Sequence, residues 1–265
     1  MSDRKHLPGK FVWFELVSRD AKQAQAFYGE LLGWTVRPYP MGDFSYDMIY
    51  AGDTMIGGYA APEHRAHWDS PAQGARPTSR WLSYISVEDV DATARAAATQ
   101  GGKVVEVPFD APGIGRMARI ADPQGAHLYL FNSASGDPAD VPVTPHGGWL
   151  WNELHTSDST KALSFYEKVV GFSHRGLDMG PAGTYYIVSK GGVDRGGVTN
   201  HLPSGMSAHW LPYVSVDDVD VAFTRAQKLG AEIPMPPKDI PGIGRSGVLQ
   251  DPTGALLALM KPATM

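Results

Sequence analysis

The chain has 265 residues, 43% of them hydrophobic and 19% charged, with a net charge of −5 and no cysteine. That length suggests about two domains, each able to bury a core, and the composition is too apolar for disorder. Disulfides, thiolate metal sites and a cysteine nucleophile are excluded; without a basic stripe nucleic acid is disfavoured, and no apolar run approaches the roughly 20 residues of a membrane span.

The opening segment MSDRKHLPGKF lacks the apolar stretch of a signal peptide, so the expectation is a cytoplasmic protein. An alternating strand follows at 11–17. Period-two alternation puts Phe11, Trp13, Glu15 and Val17 on one face and Val12, Phe14 and Leu16 on the other. Asp20 is the N-cap candidate of a helix over 20–32, whose Ala24, Phe27, Tyr28 and Leu31 form one apolar stripe. Gly33 stands at its end, where a left-handed residue costs glycine least. Short strands come next, then a loop at 62–80 rich in Pro, Ala, Gly and His. A second unit opens with a strand at 81–87 and a helix over 89–100 capped by Asp89; Asp122-Pro-Gln-Gly125 makes a hairpin turn before its last strand.

Residues 133–146 are rich in Pro, Gly, Ser and Asp and read as a linker. Beyond them the pattern starts again. Trp13-Phe-Glu-Leu-Val-Ser-Arg-Asp20 recurs as Trp151-Asn-Glu-Leu-His-Thr-Ser-Asp158, and Phe27-Tyr28 as Phe165-Tyr166. Trp81-Leu-Ser-Tyr-Ile-Ser-Val-Glu-Asp-Val-Asp91 recurs as Trp210-Leu-Pro-Tyr-Val-Ser-Val-Asp-Asp-Val-Asp220. Pro112-Gly-Ile-Gly-Arg116 returns as Pro241-Gly-Ile-Gly-Arg245, and Asp122-Pro-Gln-Gly-Ala126 as Asp251-Pro-Thr-Gly-Ala255. So many ordered matches define a tandem duplication. Its halves are 7–132 and 147–262, with helices near 158–170 and 218–229 in the second. The order strand, helix, three strands occurs four times, an α+β arrangement.

The strand-Asp-helix pattern with Phe-Tyr and Leu-Gly, the Val-(Glu/Asp)-Asp-Val-Asp segments, Pro-Gly-Ile-Gly-Arg and Asp-Pro-x-Gly resemble the vicinal-oxygen-chelate superfamily of glyoxalases, bleomycin-resistance proteins and extradiol dioxygenases. The two-half arrangement is similar to a bacterial glyoxalase-like subgroup. The resemblance implies four βαβββ units in two glyoxalase-like domains, whose curved mixed sheets enclose cups for a ligand. It also implies cups that mix strands from both halves, either in a monomer with pseudo-dimeric halves or in a homodimer. In the family, four strand positions carry the ligands of a divalent metal. Here those positions fall on Trp13 and Trp151, on 57–59 and 196–198, on Leu82 and Leu211, and on Tyr129 and Ala258. Tryptophan and leucine cannot ligate a metal, so a divalent metal is disfavoured and no metal ligand is assigned.

On the same resemblance, the face that bears Trp13 and Trp151 looks into the cup. One cup then combines Trp151, Glu153 and His155 with Tyr84, His127 and Tyr129; the other combines Trp13, Glu15 and Val17 with Tyr213, Leu256, Ala258 and Met260. Glu153 and His155 are the catalytic candidates, because an inward carboxylate is costly unless it is paired, hydrogen-bonded or bound to ligand. Trp13, Glu15, Trp151, Tyr84, Tyr129, His127 and Tyr213 are the ligand-binding candidates, with aromatic walls suited to flat molecules. A structural account of the glutamates, bonded to a strand hydroxyl or an indole, stands beside the functional one. His64, His67, His201 and His209 are expected on or near the loops that follow the fourth strands, exposed at the surface, and Glu63 and Asp69 beside the first two make a weak loop metal site. Arg116 and Arg245 reach either an anionic ligand or surface acids. Two functions stay open: a glyoxalase-like lyase or isomerase acting on a small aromatic or carbonyl compound, and a non-catalytic protein that sequesters a small molecule or antibiotic.

Overall fold

A computed structural model describes residues 5–41, 44–64, 79–202 and 205–263. Each helix starts where an aspartate can accept an otherwise orphaned backbone N–H. Asp20, Asp89, Asp158 and Asp218 accept from Gln23, Ala92, Lys161 and Val221 at 3.0, 2.9, 3.0 and 3.0 Å. The four modules that result share one order. The first is β1 (Phe11–Val17), α1 (Ala21–Leu32), β2 (Thr35–Met41), β3 (Phe44–Ala51) and β4 (Thr54–Ala60). The second is β5 (Arg80–Ser86), α2 (Val90–Thr99), β6 (Lys103–Ala111), β7 (Gly115–Ala121) and β8 (His127–Ser133). The third is β9 (Trp149–His155), α3 (Ser159–Val170), β10 (Ser173–Asp178), β11 (Thr184–Lys190) and β12 (Val193–Thr199). The fourth is β13 (His209–Ser215), α4 (Val219–Lys228), β14 (Glu232–Ile240), β15 (Gly244–Gln250) and β16 (Leu256–Pro262).

In every module the first strand pairs in parallel with the last, and the helix makes the crossover. The modules build two eight-stranded mixed sheets, ordered β2-β3-β4-β1-β5-β8-β7-β6 and β10-β11-β12-β9-β13-β16-β15-β14. The α+β expectation of four βαβββ repeats holds. Most of the 62–80 loop, including His67 and Asp69, lies outside the described residues, as does the side chain of His64. Among the described residues no helix is long and apolar enough to cross a membrane.

Contacts group the chain into two compact units, each drawing on both halves of the sequence. Unit 1 (1–13, 82–140, 151–211) holds the second and third modules; unit 2 (14–81, 141–150, 212–265) holds the first and fourth. In unit 1, Ile85, Ala118, Ile120, Leu128, Leu130, Leu154, Val188 and Val198 from the strands pack with Val90, Ala94 and Ala97 of α2 and with Ala162, Phe165 and Val169 of α3. These positions define the helix-covered face. The alternate residues of the same strands lie on the helix-free face.

Both units are tied by the same buried hydrogen-bond chain. In unit 1 the Trp210 indole donates to the Tyr166 hydroxyl at 3.0 Å, and that hydroxyl donates to Asp122 Oδ2 at 3.2 Å. In unit 2 Trp81 donates to Tyr28 at 3.1 Å, and Tyr28 to Asp251 Oδ2 at 2.8 Å. The other carboxylate oxygen holds the Asp-Pro-x-Gly turn: Asp122 Oδ1 accepts from Gln124 and Ala126, and Asp251 Oδ1 from Thr253 and Ala255. Burial and the facing aspartate push both tyrosine hydroxyls well above their ordinary pKa, so each stays a donor.

The Pro-Gly-Ile-Gly-Arg repeat is a turn that docks an arginine on a helix start. Arg116 Nε meets Asp91 at 2.5 Å and its Nη1 meets Asp110 at 3.0 Å; Arg245 meets Asp220 at 2.7 Å and Asp239 at 3.0 Å. Of the two readings of these arginines, the surface-acid one describes their contacts. The turn needs glycine. Gly115 and Gly244 have φ of 146° and 145°, and a Cβ there would strike the Asn132 or Lys261 carbonyl.

Tyr28→Phe and Tyr166→Phe each strand a buried indole N–H and a buried carboxylate oxygen. Either change is expected to lower unfolding stability by about 1–3 kcal/mol, read as a lower urea midpoint at unchanged slope.

Candidate functional site

The helix-free faces carry buried polar groups that the core does not need. Glu15 on β1 is 1% exposed, and Tyr46 on β3 donates to its Oε1 at 2.7 Å. The tyrosine reaches across β4 because Gly58, the register partner of Glu15, has no side chain; a Cβ there would collide with the Tyr46 ring and hydroxyl. The third module repeats the device. Glu153 on β9 pairs in register with Gly197 on β12, and Tyr185 on β11 occupies the space a Cβ at Gly197 would fill. The Tyr185 hydroxyl bonds Glu153 and accepts from the Trp151 indole at 2.9 Å. Burial and the Glu153 carboxylate raise the Tyr185 pKa, so the phenol remains a proton donor to the carboxylate. The structural account of the glutamates is met in this sense: both are held by a strand hydroxyl.

Unit 1 then departs from unit 2. His155, two residues beyond Glu153 on the same face, places Nε2 2.8 Å from Glu153 Oε1, with side-chain exposures of 7% and 12%. Its Nδ1 lies 2.7 Å from the His201 carbonyl. A carbonyl only accepts, so Nδ1 carries a proton, and the facing carboxylate favours a second proton on Nε2. Burial pushes the His155 pKa down, but Glu153 and the His201 carbonyl outweigh it and the net shift is upward. The carboxylate lies off the ring N–H direction, so the short contact is an ion pair without an aligned hydrogen bond at Nε2. In unit 2 the corresponding position is Val17.

A second polar cluster lies on the helix-free face of the second module. Tyr84 and Tyr129, neighbours across the parallel β5–β8 pair, stack with centroids 4.3 Å apart at 12°. Tyr129 donates to Glu106 Oε2 at 2.8 Å, and Arg119 Nη2 lies 3.0 Å from Glu106 Oε1 with side chains only 1% and 8% exposed. The Tyr129 proton is therefore committed to Glu106. The fourth module replaces this cluster with Met235 opposite Val248 and with Tyr213 beside Ala258. His127 starts β8, half-buried on the Tyr129 face. Trp13, Trp151 and Tyr213 are half-buried on their strands.

Several functional candidates escaped sequence reasoning. Tyr46, Tyr185, Glu106 and Arg119 sit on strands whose alternation is weak; the legible signal was the recurring Gly57-Gly58 and Gly196-Gly197, which marks a close approach. His201 is exposed as expected, but its carbonyl anchors His155. His209 lies at the loop's edge as the first residue of β13, but it is half-buried rather than exposed and stacks on the His155 ring at 5.2 Å and 8°. Trp149, which strand alternation sets on the face of Trp151, Glu153 and His155, turns away from that face. It stacks on Phe14 at 4.2 Å and joins Trp34 and Trp81 in the unit 2 core.

The metal positions implied by the resemblance do not fit a metal. Trp151 donates to a phenol, Leu82 is 2% exposed and apolar, and the Tyr129 hydroxyl is spent on Glu106. Among the described residues no group of three or more histidines and carboxylates is placed to hold an ion.

The glyoxalase/bleomycin resistance protein/dioxygenase superfamily model matches residues 10–129 and 150–259, and the chain belongs to that family. It is 34% identical to a "Putative glyoxylase CFP32" of Mycobacterium tuberculosis, over 95% of this chain and 94% of that protein. It is 31% identical to the "Anthracycline biosynthesis protein DnrV" of Streptomyces peucetius, over 94% and 91%. Among solved structures it is similar to a Mn(II)-bound glyoxalase from Novosphingobium aromaticivorans, with a TM-score of 0.64 at 16% identity, covering 96% of this chain and 82% of that one. The 2,3-dioxygenase LapB from Pseudomonas sp. KL28 gives a TM-score of 0.63 at 13% identity, covering 96% and 92%. These two likenesses speak for the fold.

A raised histidine pKa fixes the sign of a pH effect. The Glu153–His155 pair contributes stability that is fully present below the unfolded value of about 6.5 and is lost as pH rises through the folded value. Glu153→Gln is expected to lower the His155 titration midpoint, followed by NMR, and to flatten that part of the stability profile. Glu106→Gln leaves Arg119 buried with its charge uncompensated and should cost about 3–5 kcal/mol in denaturant unfolding.

Proposed function

We propose that the protein binds a small, flat, carbonyl-bearing aromatic molecule on the helix-free faces of unit 1. Glu153 and His155 serve as its acid–base pair, and Trp151, Tyr84, Tyr129 and His127 line the cup. The observation that carries the reading is the buried Glu153–His155 ion pair at 2.8 Å. Its imidazole is anchored through Nδ1 to a backbone carbonyl, and its Nε2 faces the Glu153 carboxylate. A ligand carbonyl that displaces Glu153 from Nε2 accepts from His155. Glu153 or His155 takes the proton from an enolisable position. The naming of one relative for anthracycline biosynthesis and of another as a putative glyoxylase supports a carbonyl compound with flat rings.

The Glu15 cup of unit 2, with Val17, Tyr213, Ala258 and Met260, is the less specific one. Each unit takes both its modules from one chain, so one copy suffices to build either cup. A second reading, sequestration without turnover, is favoured by Trp151, Leu82 and Tyr129 at the positions where the family's metal chemistry resides.

Titration with a methyl naphthyl ketone, followed by tryptophan fluorescence, tests the site. Glu153→Gln is expected to weaken binding by roughly tenfold or more, while Glu15→Gln leaves it within about twofold. Equal loss in both variants, or loss only with Glu15→Gln, contradicts the assignment. Product analysis of the same mixtures separates enzyme from binding protein, and elemental analysis of the purified protein checks the metal reading.

A further inference from the structure

Asn152 on β9 lies on the face of Leu154, turned to the helices and away from Glu153 and His155, so the proposed ligand site makes no use of it. It is 1% exposed, and among the described residues neither the nitrogen nor the oxygen of its amide has a hydrogen-bond partner. The amide carries two N–H donors and an acceptor oxygen, and burying these unpaired is costly. Buried polar groups in folded proteins accordingly bond to protein or to ordered water.

Unit 2 fills the matching place with aromatic rings. In the register by which β1 repeats as β9, Asn152 corresponds to Phe14 and Phe11 to Trp149; Phe172, after the helix-ending Gly171, corresponds to Trp34 after Gly33. In unit 2 the Phe14 and Trp149 rings stack at 4.2 Å. The Trp149 indole donates to the Ile56 carbonyl at 2.7 Å, and the Trp34 indole to the Gly147 carbonyl at 2.8 Å. Unit 1 differs at all three positions. An amide stands for the first ring, and two phenyl rings without an N–H stand for the indoles. The backbone positions that match Ile56 and Gly147 are Arg195 and Gly9. Both lie close by. A Cβ on Gly196, next to Arg195, would come 2.7 Å from the Asn152 carbonyl oxygen, 3.3 Å from the Phe11 ring and 3.6 Å from the Trp210 ring; one on Gly9 would come 3.1 Å from the Phe172 ring.

We propose that this end of the unit 1 core is a binding site for internal water, with Asn152 as its anchor. Each of the three replacements removes ring atoms, and two of them remove a donor. The loss is a few heavy atoms, the scale of water and not of an organic ligand. Water both accepts from the amide N–H groups and donates to an oxygen, so it answers the amide and supplies donors where unit 2 uses indoles. The site lies on the opposite face of β9 from the Glu153–His155 pair, so it stands or falls independently of the ligand reading.

Two measurements on the full-length protein test it. The first is the nuclear Overhauser effect between water and the Asn152 side-chain amide, with the amide signals assigned through bonds from the backbone. A cross-peak with the sign of a slowly tumbling water is expected. The second is oxygen magnetic relaxation dispersion of the solvent, which counts long-lived internal waters. Asn152→Leu puts hydrocarbon in place of the amide, as Phe14 does in unit 2, and should remove at least one of them. If the leucine variant does not fold, the cross-peak of the unaltered protein decides alone. Absence of that cross-peak, or an unchanged number of long-lived waters in folded Asn152→Leu, overturns the proposal.

Discussion

Each unit depends on one carboxylate that serves two masters. Asp122 and Asp251 hold their own hairpin turn with one oxygen and accept a tyrosine from the partner module's helix with the other. The tyrosine in turn accepts an indole N–H from the opening strand of a further module. All three partners are buried, so none has water as a substitute, and the chain is satisfied only when the modules are correctly docked. Hydrophobic contact between helices tolerates sliding; this directional link does not. Turn motif, Phe-Tyr helix motif and strand tryptophan are thus parts of one device.

The same strictness explains why the opposite faces can carry charge. With the helix-covered face fixed, the helix-free strands can hold Glu15 and Glu153 under a tyrosine that threads past a glycine. That device is common to both units, which argues that it is architectural. Unit 1 adds His155, Glu106 and Arg119, whereas unit 2 has Val17, Met235 and Val248 at the matching positions. Buried ion pairs contribute little net stability and specify geometry at best. Unit 1 holds two of them, whereas unit 2 keeps Glu15 but has Val17, Met235 and Val248 at the places of His155, Glu106 and Arg119.

The repeat, the helix caps and the α+β order were legible because each rests on local chemistry: aspartate before a helix, glycine after it, proline and glycine in a turn. The face assignments of Glu15, Glu153 and His155 were also legible, since strand alternation is strict. What escaped were contacts that cross strands. Tyr185 sits 32 residues from Glu153 in a strand with no clear alternation, and only the geometry of Gly197 brings them together. His209 read as a surface residue beside a loop because the strand begins one position before the tryptophan that announces it. Trp149 was placed by alternation on the ligand side, but a strand's first residue can still turn into a neighbouring core, as its stack on Phe14 does.

The two carboxylate links differ in how far they reach along the chain. Asp122 and Tyr166 are 44 positions apart, whereas Tyr28 and Asp251 are separated by 223. As the chain leaves the ribosome, unit 1 has all its parts once residue 211 has emerged. The first module to be synthesised must meanwhile wait, its Tyr28 hydroxyl without the Asp251 acceptor, until nearly the last residues arrive. Loop closure over such a span is slow and leaves apolar surface uncovered in the interval. The duplicated architecture therefore imposes a birth order on its copies: the inner pair of modules is complete first, and the outer pair only when the fourth module has been made.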